Sequence, residues 1–270
     1  MVCPHCNMII KDGSKFCTEC GASLKGVSPA RQAQDRRLAA DTGMMLGAAA
    51  RQARLEAVYD EDSIISVRAY NAVMVGVLLW GLLVNILLCA FVGDVYRYIP
   101  PLLFLVLYLV CAFVGIRIAA KSNKPAVSFL GYNLVVVPFG LVISSMVYAY
   151  GGIESDVVTY AFVYTMLITI GMLAMVMIVP ALFEKLGGAL LGCLVGLILC
   201  ELVLLLLRVP QTVIDWVASG LFALYIGYDI HRSQKFVKTV DNAVDCALDI
   251  YLDIANLFIR VLQILGRKKD

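Results

Sequence analysis

The sequence predicts an all-α polytopic membrane protein with seven transmembrane helices, preceded by a small cysteine-rich module. Of its 270 residues, 61% are hydrophobic and 16% are charged, whereas a soluble domain has about 45–50% apolar and about 25% charged residues. The mean hydropathy is +0.86, and several apolar runs reach the roughly 20 residues that cross a bilayer as a helix. The lipid bilayer is therefore the expected partner, and a net charge of only +2 argues against nucleic acid.

Composition divides the chain into three regions. Residues 1–26 form a polar cysteine module, residues 27–65 suit a partly helical cytosolic linker, and residues 66–270 hold the apolar runs. The start of the chain lacks the basic and apolar regions of a secretory signal, so the first apolar run should be both insertion signal and permanent span. Breakers such as "SNKP", "FEKLGG" and "RVPQ" separate the runs. We expect spans near 70–92, 98–119, 125–150, 157–180, 186–207, 213–231 and 243–264.

Basic residues predict the orientation, because they accumulate on the cytoplasmic side of short loops. They are concentrated before the first span and between the second and third, fourth and fifth, and sixth and seventh spans. We therefore expect a cytosolic N-terminus in a bacterial plasma membrane, with an intracellular eukaryotic membrane as the alternative. Seven full crossings would place Arg267, Lys268 and Lys269 outside. Either the last segment does not fully cross, or its own polarity overrides the charge bias.

The cysteine module has the spacing of a zinc ribbon. Cys3, Cys6, Cys17 and Cys20 read C-x2-C-x10-C-x2-C, and two such pairs can give one zinc ion a closed tetrahedral shell of four thiolates. A redox pair is the rival interpretation. A closed shell leaves no open position for catalysis, so we predict structural zinc, with protein docking as a further role.

Ionisable side chains within the apolar runs are the candidate functional groups, because each costs about 2.5–3.5 kcal/mol at bilayer depth on insertion scales. For Arg117 and Asp215, the alternative is that they lie at the end of a span and reach the lipid headgroups. Glu201 either pairs with Arg208 or lines a pathway, and Asp249 is expected to face the same aqueous cavity as Asp253. The candidates are Arg117, Glu201, Asp215, Asp229, Asp249, Asp253 and Arg260.

Asp229 and Asp253 form the most informative pair. An antiparallel hairpin that turns near Asp241, twelve residues from each, would bring them to the same depth. Two carboxylates at about 4 Å and an effective dielectric near 20 repel by about 4 kcal/mol, so the pair should hold one proton until about neutral pH and titrate as a unit. Such a pair can sense pH and, when deprotonated, offer oxygen ligands to calcium. The alternative is a shared-proton hydrogen bond that only joins two helices.

The same region carries a family signature. "GYDIHRSQKFVKTVDNAVDCALDIYLDIANLFIRVLQILG" resembles the C-terminal signature of the Bax inhibitor-1 family, the transmembrane Bax-inhibitor-motif proteins. That signature has a tyrosine–aspartate pair at the end of one helix and "ALxLYLDxxNLF" in the last helix. "GYNLVVVPFG" in the third span is similar to the corresponding helix of the family. The resemblance implies a seven-helix fold with a central last helix that the other six surround.

The resemblance also implies a function, namely pH-sensitive leakage of calcium down its gradient. Asp229 and Asp253 match the family's aspartate pair, and Arg117 matches an arginine latch near the cytosolic end of the second helix. "DIHRSQ" replaces the commoner "DTQ" pattern, and the ribbon is an addition, so regulation is expected to differ more than the fold. The alternative is a non-conducting regulator that binds another membrane protein, such as a quality-control protease. We do not expect an enzyme, because the sequence shows no nucleophile–base set.

Overall fold

The computed structural model describes residues 63–121, 124–184 and 186–267. The predicted zinc ribbon with Cys3, Cys6, Cys17 and Cys20, and the linker up to residue 62, lie outside the described residues. The described chain is helical, with a short 3-10 turn at Val95–Arg97 between the first two helices. Its α-helices are α1 Val67–Phe91, α2 Pro101–Lys121, α3 Pro125–Ala149, α4 Asp156–Ile178, α5 Pro180–Glu184, α6 Gly187–Leu206, α7 Thr212–Ser233 and α8 Val240–Gly266.

The seven long helices of the described residues lie within a few residues of the seven predicted spans. Within the described ranges, the six helices α1, α2, α3, α4, α6 and α7 are long and apolar enough to cross a membrane. Helix α8 has 27 residues, about 40 Å at 1.5 Å per residue, but it carries more charged residues than any of these six. The count of seven crossings stays a prediction.

The short helix α5 has no counterpart among the predicted spans. Pro180 begins it directly after α4, because proline lacks a backbone N–H and has the φ angle that suits the first helical position. The side chain of Phe183 is fully buried and lies against Gly227 of α7, where an added Cβ atom would clash with the phenylalanine ring. Glycine at this position therefore allows α5 to pack closely against α7.

Helix α8 lies at the centre of the bundle. It packs extensively against α1, α3, α4 and α7, and most of its residues are buried, Tyr251, Leu257 and Leu262 completely. Helix α2 packs mainly on α3, and α6 packs mainly on α7. The predicted all-α fold with a central last helix is confirmed. Close packing on α8 comes from four neighbouring helices, and α6 reaches α8 through an ion pair between Glu201 and Arg260.

Candidate functional site

The site is built on the antiparallel hairpin of α7 and α8. Helix α7 ends at Ser233 and α8 begins at Val240, so the prediction of a turn centred near Asp241 is wrong. Asp241 lies in the first turn of α8, where the positive end of the helix dipole stabilises a negative charge. Thr239 is the N-cap, and its hydroxyl accepts a hydrogen bond of 3.1 Å from the backbone N–H of Asn242.

Two contacts fix how far along each helix the residues of the hairpin lie. The hydroxyl of Tyr70 is within hydrogen-bond distance of the Ser233 carbonyl oxygen (3.0 Å) and of the Cys246 Sγ (3.2 Å), so these two residues lie at one level. Asp229 lies four residues before Ser233 on α7, and Ile250 lies four residues after Cys246 on α8. Asp229 is therefore level with Ile250, and Asp253 lies about 5 Å further along α8.

Helical periodicity also places Asp229 and Asp253 on facing sides. Asp229 follows Asp215 by two heptads on α7, and Asp253 precedes Arg260 by one heptad on α8, and residues seven apart lie on nearly the same face of a helix. Asp215 and Arg260 are in contact, with Oδ1 and Nη1 2.9 Å apart. The face of α7 that carries Asp229 is thus directed toward the face of α8 that carries Asp253. This favours the predicted pair, which stays a prediction.

The acids that recur every fourth residue at the start of α8 point largely into the protein. Asp241, Asp245 and Asp253 are 5%, 3% and 8% exposed, Asp229 on α7 is 6% exposed, and Asp249 is partly buried. The Ser128 hydroxyl of α3 donates a hydrogen bond of 2.5 Å to the Asp241 carboxylate, and hydrogen bonds to a charged acceptor are stronger than neutral ones. The helix can be this polar because protein, and not lipid, surrounds it.

Arg117, the predicted latch, lies on the exposed side of α2. Its guanidinium carbon is 4.6 Å from the ring centroid of Phe113, one turn earlier on the same helix, at a distance typical of a cation–π contact. An ion pair of Arg117 with Asp229 stays a prediction.

At the end of the bundle opposite the α7–α8 turn, two acids and two arginines form what we call the charge network. The Asp215 carboxylate is completely buried and contacts Arg260 and Arg267 of α8. Arg260 also contacts Glu201 of α6, with Nη2 and Oε1 2.5 Å apart. Asp215 is therefore not an end residue that reaches the headgroups, and Glu201 pairs with Arg260, not with Arg208.

The sequence contains a signal for part of this network. Asp215 and Arg260 lie at similar distances on either side of the α7–α8 turn, so an antiparallel hairpin brings them to one level. Arg267 lies in the predicted basic tail, and its contact with Asp215 depends on α8 continuing to Gly266.

The α7–α8 turn is also joined to the segment before α1. The Ile65 N–H donates a hydrogen bond of 2.7 Å to the Lys238 carbonyl oxygen, and Ile64 forms a β-bridge with Thr239. The Lys238 ammonium donates to the carbonyl oxygens of Ser233 and Gln234 at the end of α7. Burial lowers the pKa of Lys238 to about 8, and the thiol of Cys246 opposes that shift.

The comparisons with known proteins agree with this architecture. Residues 63–270 match the sequence model of the family described as "Inhibitor of apoptosis-promoting Bax1". The chain belongs to the Bax inhibitor-1 family. The resemblance seen in the C-terminal signature is thereby confirmed. Residues 2–24 match the model of a zinc-ribbon domain, a range that includes the four predicted cysteine ligands.

Two relatives come from Helicobacter pylori. Uncharacterized proteins of strains 26695 and J99 are 40% and 39% identical to this Bax inhibitor-1 family member over 89 residues. The aligned stretch is 32% of this chain and 37% of each relative, so the chain spans little more than a third of the length of the curated relatives it matches.

Proposed function

We propose that this Bax inhibitor-1 family protein is a pH-sensitive cation leak pathway, with calcium as the expected ion. The observation that supports this most is the burial of the α8 acids, together with Asp229, inside a bundle with an apolar outer surface. Each ionisable group costs about 2.5–3.5 kcal/mol at bilayer depth on insertion scales. Apolar side chains would fill the same volume without that cost, so the acids are better explained by a function than by stability.

Asp229 and Asp253 would be the pH sensor and would line the ion pathway. Their facing sides, and levels that differ by only about 5 Å along the helices, support a pair that holds one proton between two carboxyl groups. Loss of that proton adds a repulsion of about 4 kcal/mol at about 4 Å and an effective dielectric near 20. The repulsion would favour separation of α7 from α8 and would leave carboxylate oxygens available to a hard cation. Arg117 would act as a latch on Asp229 in the closed state.

The test is ion flux in liposomes that contain the purified full-length protein. Flux of calcium, sodium and potassium is measured at about pH 6 and about pH 8 for wild type, Asp229→Asn and Asp253→Asn. We expect the wild-type calcium flux to rise with pH and each variant to lose that dependence, because neither retains a pair of titrating carboxyls. Glu154→Gln, in the loop between α3 and α4, is the matched control and should behave as wild type. A pH dependence that is unchanged in both variants would remove the mechanism.

A second candidate function is a non-conducting regulator that binds another membrane protein through the ribbon. The match of residues 2–24 to a zinc-ribbon domain favours it, because an ion pathway needs no such module. This alternative predicts no flux in vesicles, together with a membrane-protein partner that co-purifies with the full chain and is lost when residues 1–26 are deleted. Flux that persists after that deletion would exclude the non-conducting alternative.

A further inference from the structure

The charge network connects three helices with charges of alternating sign. Glu201 of α6 contacts Arg260, Arg260 contacts Asp215 of α7, and Asp215 contacts Arg267. The exposed fractions of these side chains are 23%, 17%, 0% and 38% in that order. Two acids and two arginines leave the network with no net charge. Since apolar residues often replace a buried ion network without loss of stability, its presence points to a role beyond holding the fold.

The network lies in line with the proposed ion pathway. Asp253, Arg260 and Arg267 follow one another at seven-residue spacing on α8, and this spacing keeps them on nearly one face. Arg260 is about 10 Å beyond Asp253, toward the end of the bundle opposite the α7–α8 turn. A cation that passes the aspartate pair along this face therefore next meets a guanidinium.

An arginine is suited to be a barrier that does not depend on pH. Its guanidinium stays protonated at any physiological pH, in contrast to the carboxyl pair. Asp215 and Glu201 hold Arg260 from α7 and α6, so it lies across the junction of three helices. Removal of its charge would leave the remaining residues with a net negative charge, and a negative site attracts cations.

We propose that Arg260 is the residue that blocks cations at the end of the pathway opposite the α7–α8 turn, and that Asp215 and Glu201 position it. The proposal rests on the proposed leak function, and it separates two tasks. The aspartate pair sets the pH dependence, and Arg260 limits the flux once the aspartate pair has lost its proton.

The experiment uses full-length protein in liposomes that contain a calcium indicator and a larger marker dye. At about pH 8, where the aspartate pair is deprotonated, Arg260→Gln should leak calcium roughly tenfold faster than wild type, which corresponds to about 1.4 kcal/mol of barrier, and should retain the marker dye. Arg260→Lys, which keeps the charge, should stay close to wild type. Arg208→Gln is the matched control, because Arg208 is an exposed arginine after α6 at the same end of the bundle.

The outcomes distinguish this proposal from the leak mechanism itself. A calcium leak in Arg260→Gln that is no faster than in wild type or in Arg208→Gln overturns the barrier, and so does a simultaneous loss of the marker dye. If Arg260→Gln aggregates, Asp215→Asn combined with Arg260→Gln decides, because it removes both partners of the buried pair. The guanidinium is then absent, so calcium should still leak faster than in wild type, although less than in Arg260→Gln because Glu201 and Arg267 leave no net charge. If wild type shows no pH-dependent flux, the aspartate gate fails, whereas a selective leak of Arg260→Gln above wild type still supports the barrier.

Discussion

Replacement of Asp215 by asparagine should destabilise the bundle markedly. The carboxylate is completely buried and contacts both Arg260 and Arg267. Breaking a buried ion pair by removing one partner costs about 3–5 kcal/mol. The lower end applies here, because Arg260 keeps its contact with Glu201 and Arg267 is partly exposed. About 3 kcal/mol corresponds to a fall in Tm of about 6–12 °C for a domain of this size.

The assay is thermal unfolding of purified protein in detergent, followed by helical circular dichroism at one fixed heating rate, because irreversible unfolding makes Tm depend on the rate. The matched control is Glu184→Gln, which removes the ion pair with Lys235. In that pair the side chains are 62% and 44% exposed, and such surface pairs contribute only about 0–1 kcal/mol. A Tm of Asp215→Asn within the range of the Glu184→Gln control would refute the assignment of Asp215 as a buried, doubly paired carboxylate.

Three further predictions concern other parts of the chain. Ser128→Ala removes the hydrogen bond to Asp241 and should lower the free energy of unfolding by about 1–3 kcal/mol, detected as a lower Tm; an unchanged Tm would contradict this role. Because the pKa of Lys238 is lower in the folded protein (about 8) than its ordinary 10.5, the unfolded chain binds more protons between these values. The contribution of this group to the free energy of unfolding should therefore rise as pH increases above about 8. Lys238→Met should flatten that rise, measured as Tm at a series of pH values. Cys17→Ser should reduce the zinc content below one ion per chain, measured by elemental analysis, whereas the α6 variant Cys193→Ser should leave it unchanged.

The helix positions could be predicted from the sequence because membrane spans are local features. Each apolar run is long enough to specify a helix, and breakers such as the Gly-rich and Pro-containing loops mark its ends. Helix α8 was predicted near 243–264, but its four acids distinguish it from the other spans. Its place at the centre came from the family signature, and the burial of Asp241, Asp245 and Asp253 by neighbouring helices supplies the physical reason.

The details of the site depended on packing between helices, which one sequence specifies only indirectly. The turn was placed near Asp241, although Thr239 ahead of the first apolar residues of α8 is a typical N-cap signal. The sequence offered Arg208, seven residues along the chain, as a partner of Glu201, whereas the packing of α6 and α8 on α7 brings Arg260 to it. The contact of Tyr70 with Ser233 and Cys246 joins residues more than 160 positions apart, for which a single sequence holds no local signal.

The proposed gate depends on Asp229 and Asp253 acting as one titrating unit, and calcium flux against pH for the two single variants and the double variant tests this most directly. Substitutions of two residues that share one proton should have non-additive effects on the flux. Asp229→Asn, Asp253→Asn and the double variant are therefore predicted to give the same flux profile, without the pH-dependent rise of wild type. A double variant whose change equals the sum of two independent changes, or a single variant that keeps the wild-type midpoint, would contradict the shared proton.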